Sequence, residues 1–146
     1  MASEAALRNT VKHHLGMFGA LVRIENKCDQ GTPDICYALR WRKRYLTGWL
    51  ELKQVDRWPA HPDTCIDVGL TLNQLLWAER WAPFGAVHLL VQVERDLILF
   101  DAAGMRPVWC GLAKQPFLAL AVAKSPGKLR VLELLQGLSA CNITNK

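Results

Sequence analysis

Alternating apolar and polar residues mark the chain before residue 55. In the segment TGWLELKQV, Trp49, Glu51 and Lys53 share one side of the pattern, and Leu50 and Leu52 share the other. Successive side chains of a β-strand point to opposite faces, so residues two apart lie on the same face. The pattern therefore predicts a strand that packs its leucines into a core and presents a glutamate beside a lysine.

A second alternating segment, GTPDICYAL, begins at a Pro-Asp pair. Asp34 falls on the face opposite to Ile35 and Tyr37, directly after a turn-prone start. If the two strands are neighbours, Asp34, Glu51 and Lys53 converge on one polar site beside a sheet.

The rest of the pattern predicts an α/β chain in the order helix, three strands, helix, strand. A first helix, capped by Ser3, is predicted from apolar residues at i, i+4 and i+8. These residues are Leu7, Val11 and Leu15. Thr71 is the expected cap of a helix at 72–81. Further strands are predicted at 20–27, 45–54, 86–93 and 97–100, further helices at 115–123 and 128–138, a long loop at 54–69 and a turn at 101–104.

Composition limits the class of protein. With 146 residues, of which 51% are hydrophobic, the chain is expected to form one domain over residues 1–146 with a substantial core. No apolar run approaches the ~20 residues that span a bilayer. The N-terminal residues lack the pattern of a secretory signal, which predicts a cytoplasmic protein without membrane contact. Five cysteines without C-x-x-C spacing argue against a disulfide framework or a zinc ribbon.

Two carboxylates and an amine on one face suit metal-dependent phosphodiester hydrolysis. Mg²⁺ takes oxygen ligands and is held in proteins by one or two carboxylates, so Asp34 and Glu51 are the predicted ligands. The backbone carbonyl of Leu52 is a further candidate. Lys53 is expected to orient an attacking water or to neutralise charge developing on the phosphate. A Glu-x-Lys pair alone is more often a solvated ion pair, and a Pro-Asp pair alone more often a turn, so their combination carries the prediction.

A basic and aromatic segment separates the two motif strands. Arg40, Arg42, Lys43 and Arg44 occur in RWRKRY, with Trp41 interleaved, where the turn between the strands is predicted. The net charge of the chain is +5. This hairpin is predicted to lie next to the metal site, to contact phosphates and to stack on an unpaired base. The alternative is an edge strand protected by charge.

Three further residues are candidates for the site. Glu4 lies three residues before Leu7 on the core-facing stripe of the first helix, where metal coordination would account for a buried acid. Alternatively, it complements the helix dipole from the first turn. Glu25, on the strand predicted at 20–27, competes with Glu4 for the role of third acid. Gln74, on the helix after the Glu-x-Lys strand, would hydrogen-bond into the site or be satisfied by backbone groups.

The order of these motifs resembles the PD-(D/E)xK nuclease superfamily, and within it the VRR-NUC branch of small, often phage-encoded nucleases. Members of this branch place a glutamine on the helix after the Glu-x-Lys strand, as Gln74 would be here. They also carry an acid on the first helix, for which Glu4 is the candidate. The matching stretches, within about residues 3–95, are Arg23-Ile24-Glu25-Asn26, Gly31-Thr32-Pro33-Asp34, Trp49-Leu50-Glu51-Leu52-Lys53 and Leu72-Asn73-Gln74.

The resemblance implies a restriction-endonuclease-like core (αβββαβ), with a mixed central sheet flanked by helices. It implies a Mg²⁺-dependent endonuclease, with Mn²⁺ able to substitute, that holds the metal with Asp34, Glu51 and Glu4 and leaves 5′-phosphate ends. Stand-alone proteins of this length resemble Holliday-junction resolvases, which act on branched DNA as homodimers in a phage-infected or bacterial cytoplasm. The alternatives are a flap-directed or other nuclease of the superfamily, a non-catalytic DNA-binding module with this fold, and a basic scaffold subunit.

Overall fold

Residues 3–125 and 131–142 are described by a computed structural model. They form an α/β structure in which one six-stranded mixed sheet is flanked by helices, so the predicted class and the order helix, three strands, helix, strand are confirmed. The elements are α1 (Glu4–Leu15), a 3-10 turn (Gly16–Phe18), β1 (Gly19–Arg23), β2 (Ile35–Trp41), β3 (Arg44–Val55), α2 (Leu72–Trp81), β4 (Ala86–Val93), β5 (Asp96–Asp101), α3 (Ala102–Cys110), α4 (Lys114–Leu120), β6 (Ala123–Ser125) and α5 (Val131–Asn142).

The strands lie in the sheet in their order along the chain. Neighbouring strands are antiparallel except β3 and β4, which are parallel and joined through α2. The β2–β3 ladder runs from Ile35 opposite Leu50 to Trp41 opposite Arg44. Because β3 continues to Val55 beyond the residue that pairs with the start of β2, the second half of β3 has no strand neighbour on the side of β2.

Two apolar cores cover the two faces of the sheet. The first lies under α1 and α5 and contains Leu50 and Leu52, which are 2% and 1% exposed. Burial of one leucine stabilises a fold by about 1.5–3 kcal/mol. The second core lies under α2, α3 and α4 and reaches the sheet only from β3 to β5. The predicted division of β3 between a leucine face and a polar face is confirmed.

The strand predicted at 20–27 is too long, since β1 ends at Arg23. Three residues later, Asn26 accepts hydrogen bonds through Oδ1 from the backbone nitrogens of Cys28 and Asp29, at 3.0 and 3.2 Å. An asparagine side chain that binds the backbone ahead of it competes with a ladder and begins a turn.

The turn predicted at 101–104 is wrong, because these residues open helix α3. Asp101 caps it by accepting from the Gly104 nitrogen at 3.0 Å. Gly104 and Pro107 disfavour a helix locally, but burial of Met105 and Val108 on the second core favours one.

Two predictions near the C-terminus also change. The helix predicted at 115–123 is α4, which ends at Leu120, and Ala123–Ser125 then pairs with β5 as the unpredicted strand β6. The start predicted at 128 for the last helix lies outside the described residues. Among the helices that are described, none is long and apolar enough to cross a membrane.

Candidate active site

Strand β3 supplies the buried polar centre of the site. Glu51 and Lys53 are 2% and 7% exposed, on the face opposite to Leu50 and Leu52. Lys53 Nζ lies 3.5 Å from Glu51 Oε1. A solvated surface pair would be far more exposed, so the alternative of an ordinary surface ion pair does not describe this lysine and glutamate.

Asp34 reaches the same centre from the residue just before β2. Its Oδ2 accepts a hydrogen bond from the Leu52 nitrogen at 3.0 Å, and its carbonyl accepts one from Ile24 at 2.8 Å. The predicted convergence of Asp34 with Glu51 and Lys53 is therefore present. The two hydrogen bonds hold the aspartate beside the part of β3 that no longer pairs with β2.

The Leu52 carbonyl lies on the same side of β3 as the Leu52 nitrogen that binds Asp34. In a strand, the N–H and C=O of one residue face the same neighbour, and successive residues alternate. The Val55 carbonyl accepts from Glu94 on the β4 side, and the Leu52 nitrogen bonds Asp34 on the β2 side. The Leu52 carbonyl consequently faces the open side of β3.

Gln74 connects helix α2 to Glu51. Its Nε2 donates to Glu51 Oε1 at 2.7 Å. Its Oε1 accepts from the Thr71 nitrogen at 2.9 Å, and its own nitrogen donates to Thr71 Oγ1 at 3.2 Å. These last two bonds form a capping box, so the helix cap holds the side chain that orients Glu51. Both roles considered for Gln74 are present together.

Glu4 is close to the site but is not buried. Its Oε1 lies 3.9 Å from Lys53 Nζ, and its side chain is 51% exposed. The prediction of a buried acid on the core-facing stripe is wrong, because the first turn of α1 projects beyond the packed part of that helix. Glu25 instead pairs with Arg23 at 2.7 Å, with both side chains more than half exposed.

The electrostatics of Glu51 favour a cation. Burial, reinforced by the negative charge of Asp34, raises the pKa of Glu51 to about 8, although Lys53 opposes the shift. Its Oε2 is buried and has no hydrogen-bond partner in the described part of the chain. A buried carboxylate oxygen without a partner is costly. A divalent ion shared with Asp34 and the Leu52 carbonyl would satisfy it, and these oxygen donors are of the kind that Mg²⁺ prefers.

The loop between β1 and β2 holds Asp34 against α2. Gln30 accepts from the Asn73 side chain at 3.0 Å, and Asp29 pairs with Arg80 at 3.6 Å. Gly31 has φ +95°, and a Cβ added there would meet the Asn73 carbonyl oxygen at 2.3 Å. The alternating pattern contains no sign of this contact, and the glycine two residues before Pro33 is its only local signal in the sequence.

The basic hairpin lies away from the site, so the prediction that it is adjacent is wrong. The ladder joins Ile35 to Leu50 near the site and Trp41 to Arg44 at the turn. The seven residues of β2, at about 3.4 Å each, separate the turn from Asp34 by roughly 24 Å. The two ends of one hairpin cannot both border the same site.

The five residues predicted to bind DNA also point in different directions. Trp41 packs against the first core, and the Arg42 guanidinium lies 4.4 Å from its ring centre. Arg44 donates to the Ser139 hydroxyl of α5 at 3.4 Å. Trp41 is therefore not presented for stacking on a base, whereas Arg40, Arg42 and Lys43 are exposed cations.

The chain matches no family model, and a search of curated proteins finds no relative. The geometry of Asp34, Glu51, Lys53 and Gln74 is thus the basis for assigning a function.

Proposed function

We propose that the protein is a Mg²⁺-dependent endonuclease that hydrolyses phosphodiester bonds in branched DNA. The observation that carries this proposal is the buried Glu51 oxygen without a partner, on a carboxylate that Gln74 orients and that lies beside Asp34. A carboxylate held in this way, next to a second acid and an open backbone carbonyl, is suited to binding a cation and poorly suited to a structural ion pair.

Asp34, Glu51 and the Leu52 carbonyl would hold the ion, and Glu4, 3.9 Å from Lys53, is near enough to add a carboxylate through a water. A Mg²⁺ or Mn²⁺ ion bound there would lower the pKa of a water and stabilise charge on the phosphate. The hydrogen bond from Leu52 to Asp34 and the one from Gln74 to Glu51 set the orientation of both carboxylates before an ion arrives.

Lys53 is placed to act on the water. Its Nζ lies between the carboxylates of Glu51 and Glu4, at 3.5 and 3.9 Å. From there it would donate a hydrogen bond to the attacking water and neutralise charge as the reaction proceeds. The water oxygen bonds to phosphorus as the bond to the 3′ oxygen breaks, which leaves a 3′ hydroxyl and a 5′ phosphate.

The finer assignment is a restriction-endonuclease-like core and a Holliday-junction resolvase. The order helix, three strands, helix, strand, with Asp34 directly before β2 and with Glu51 and Lys53 on β3, supports the core. A resolvase makes two symmetric nicks, for which a two-fold homodimer supplies two sites. Such an enzyme would meet its DNA in the cytoplasm of a phage-infected or bacterial cell.

The test offers the protein labelled four-way junction, flap, splayed-arm and linear duplex DNA, each with Mg²⁺, Mn²⁺ or EDTA. We expect paired symmetric nicks in the junction, with 5′-phosphate ends, in the presence of either metal. Lys53→Met, which keeps the apolar stem, is expected to lower the rate by about 10²-fold or more. Equal cutting of flaps would replace the resolvase assignment. Binding of the DNA structures without any cleavage would leave a non-catalytic DNA-binding module.

A further inference from the structure

The half of the sheet beside the site has one uncovered face. The second core reaches the sheet only from β3 to β5, and no described helix packs on the same side of β1 and β2. The ladders align Ala20, Ala38 and Thr47 in one row and Val22, Cys36 and Trp49 in the next. Trp49 is covered, since its ring centre lies 5.2 and 5.7 Å from those of Trp77 and Trp81 on α2, so α2 borders this surface. We call the rest of the surface the open face; its residues are Ala20, Val22, Cys36, Ala38, Arg40, Tyr45 and Thr47.

The open face is continuous with the candidate active site. Asp34 and Arg40 lie on the same side of the β2 chain, because the two positions are an even number of residues apart. Six residues at about 3.4 Å each place them roughly 20 Å from one another. The residues between them on that side, Cys36 and Ala38, are small, so no large side chain of β2 stands between the site and Arg40.

The charge of the open face has one sign. It contains no acidic residue, and its far end carries Arg40, 5.8 Å above the Tyr45 ring. Arg42 and Lys43 follow at the turn, with φ of +50° and +60°. A two-residue turn of this kind is ordinarily built from asparagine and glycine. Two long cations in left-handed backbone therefore keep positive charge at the turn despite a conformational cost.

We infer that the open face binds one duplex arm of the DNA substrate. This inference rests on the proposed function and adds the path of the substrate to it. The arm would run from the phosphate at Asp34 to phosphates held by Arg40 and Lys43, since Arg42 lies over the Trp41 ring on the other face of the sheet. A separation of roughly 20 Å corresponds to about six base pairs at 3.4 Å per step. The small side chains of Cys36 and Ala38 leave room for the duplex, and the cations at the end of the face complement the phosphate charge.

Binding measurements test the centre of the open face, at Ala38. The full chain carries Asp34→Asn so that bound DNA is not cut. Its affinity for fluorescein-labelled junctions and duplexes with arms of about 4, 6, 8 and 12 base pairs is followed by anisotropy. Ala38→Glu places a carboxylate at the centre of the open face, and Ala38→Gln is the neutral control of the same shape. We expect the glutamate to weaken binding by about tenfold or more and the glutamine to leave it within about twofold. Affinity should rise with arm length up to about six to eight base pairs and then level off.

A second pair of variants tests the cations at the turn. The double variant Arg40→Ala/Lys43→Ala should reduce the slope of log K against log salt by about 2, since each phosphate contact contributes about 0.9. It should also abolish the gain in affinity from arms longer than about four base pairs. Arg57→Ala/Arg95→Ala removes the same charge at the opposite end of β3 and β4 and should change neither quantity.

Three results would overturn the inference. Equal affinity of Ala38→Glu and Ala38→Gln, with both folded by circular dichroism, excludes DNA from this face, and Thr47→Glu against Thr47→Gln repeats the comparison if either fails to fold. Conversion of a dimer to a monomer by Ala38→Glu, with DNA affinity unchanged, would make the face an interface between copies.

Normal cleavage by the Ala38→Glu protein with wild-type Asp34 would refute the path but keep the nuclease. Loss of binding by Ala38→Glu in a protein that never cleaves DNA would refute the nuclease but keep the path.

Discussion

Glu51 is the residue whose surroundings say most about the protein. Gln74 holds one of its oxygens at 2.7 Å, and the other is buried without a partner among the described residues. With a pKa of about 8, Glu51 carries a proton near neutral pH in the metal-free protein. A metal must displace that proton, so metal binding and pH are linked.

The first prediction concerns the stability of the metal-free protein. The pKa of Glu51 is about 8 in the folded chain, against 4.5 for a free glutamate. Between these values the folded state binds more protons than the unfolded state, so the free energy of unfolding falls as pH rises. The loss amounts to roughly 1.4 kcal/mol per unit of pKa difference. Thermal unfolding in EDTA at about pH 6 and pH 8.5 should show it, and Mg²⁺ should raise Tm more at the higher pH.

Glu51→Gln is the control for this linkage. Glutamine keeps the shape and the contact with Gln74 but does not titrate. In this variant, the unfolding temperature should fall much less between the two pH values than it does in wild type. It should also respond much less to Mg²⁺. An unchanged pH slope in this variant would show that another group causes it.

A second prediction concerns His88, which is fully buried on β4 opposite Asp101. Neither ring nitrogen has a hydrogen-bond partner in the described part of the chain. Burial lowers the pKa of His88 from 6.5 to about 4, with Asp101 opposing the shift. Between these values the unfolded chain binds a proton that the folded chain refuses, so stability falls as pH drops below about 6.5. His88→Leu should remove roughly 2–3 kcal/mol of that loss at about pH 4.5.

Urea unfolding of wild type and His88→Leu at about pH 4.5 and pH 7 measures this effect. Glu51 titrates in both proteins, so its contribution cancels in the comparison. His61→Leu changes an exposed histidine. Its free energy of unfolding should fall between about pH 7 and pH 4.5 by as much as that of wild type. Equal acid sensitivity of wild type and His88→Leu would rule out His88 as its source.

At the scale of elements, the β1–β2 loop and helix α2 hold the parts of the site together. Asp34 is the last residue of this loop, directly before β2, and Gln74 belongs to the first turn of α2. Gly31 brings the two backbones into contact, since a Cβ there would lie 2.3 Å from the Asn73 oxygen. The distance between Asp34 and the Gln74–Glu51 pair therefore depends on a residue that carries no chemistry.

The third prediction compares Gly31→Ala with Gly69→Ala. Both glycines have positive φ, +95° and +76°, but only Gly31 meets other atoms where a Cβ would be. Each substitution adds backbone strain of about 1–2 kcal/mol, whereas only Gly31→Ala must displace α2. We expect Gly31→Ala to lower kcat by about tenfold or more with little change in KM, and Gly69→Ala to keep its activity. Similar kcat values in two folded proteins would remove the positioning role from Gly31.

Local patterns predicted the elements that carry the site. The alternation around Glu51, the stripe of α1 and the cap at Thr71 each depend on neighbours within a few residues, and all three are confirmed. Helix α3 and strand β6 were missed because burial of Met105 and pairing with Leu97–Leu99 outweigh the local signals of Gly104 and the 121–125 segment. The contact of Gly31 with Asn73 joins residues 42 apart, which no local pattern records.

The position of the basic hairpin is a different kind of error. Strand length alone places the turn roughly 24 Å from Asp34, since β2 has seven residues at about 3.4 Å each. This distance could have been calculated from the predicted strand length alone. Proximity in the chain between RWRKRY and Glu51 had suggested proximity in space, but an antiparallel pair carries its turn to the opposite end.

At the scale of the whole molecule, the sheet separates the proposed metal site from the exposed cations of the hairpin turn. The metal-binding candidates lie where β2 begins, and the exposed cations lie where it ends, with the open face between them. The net charge of +5 gives general attraction to a polyanion. The exposed cations at the turn give that attraction a direction. In the proposed arrangement, a duplex arm reaches both ends of one hairpin, and the cut is made at the end that carries Asp34, Glu51 and Lys53.

The most direct test of the central claim is the single-turnover rate of four-way junction cleavage as Mg²⁺ is titrated. It compares wild type, Asp34→Asn and Asp63→Asn, since Asp63 is an exposed acid whose side chain is 90% accessible. We expect wild type and Asp63→Asn to cleave at the same rate with the same Mg²⁺ dependence. Asp34→Asn should be slower by about 10²-fold or more at every Mg²⁺ concentration. Cleavage by Asp34→Asn at the wild-type rate would contradict the assignment of Asp34, Glu51 and Leu52 as the metal site.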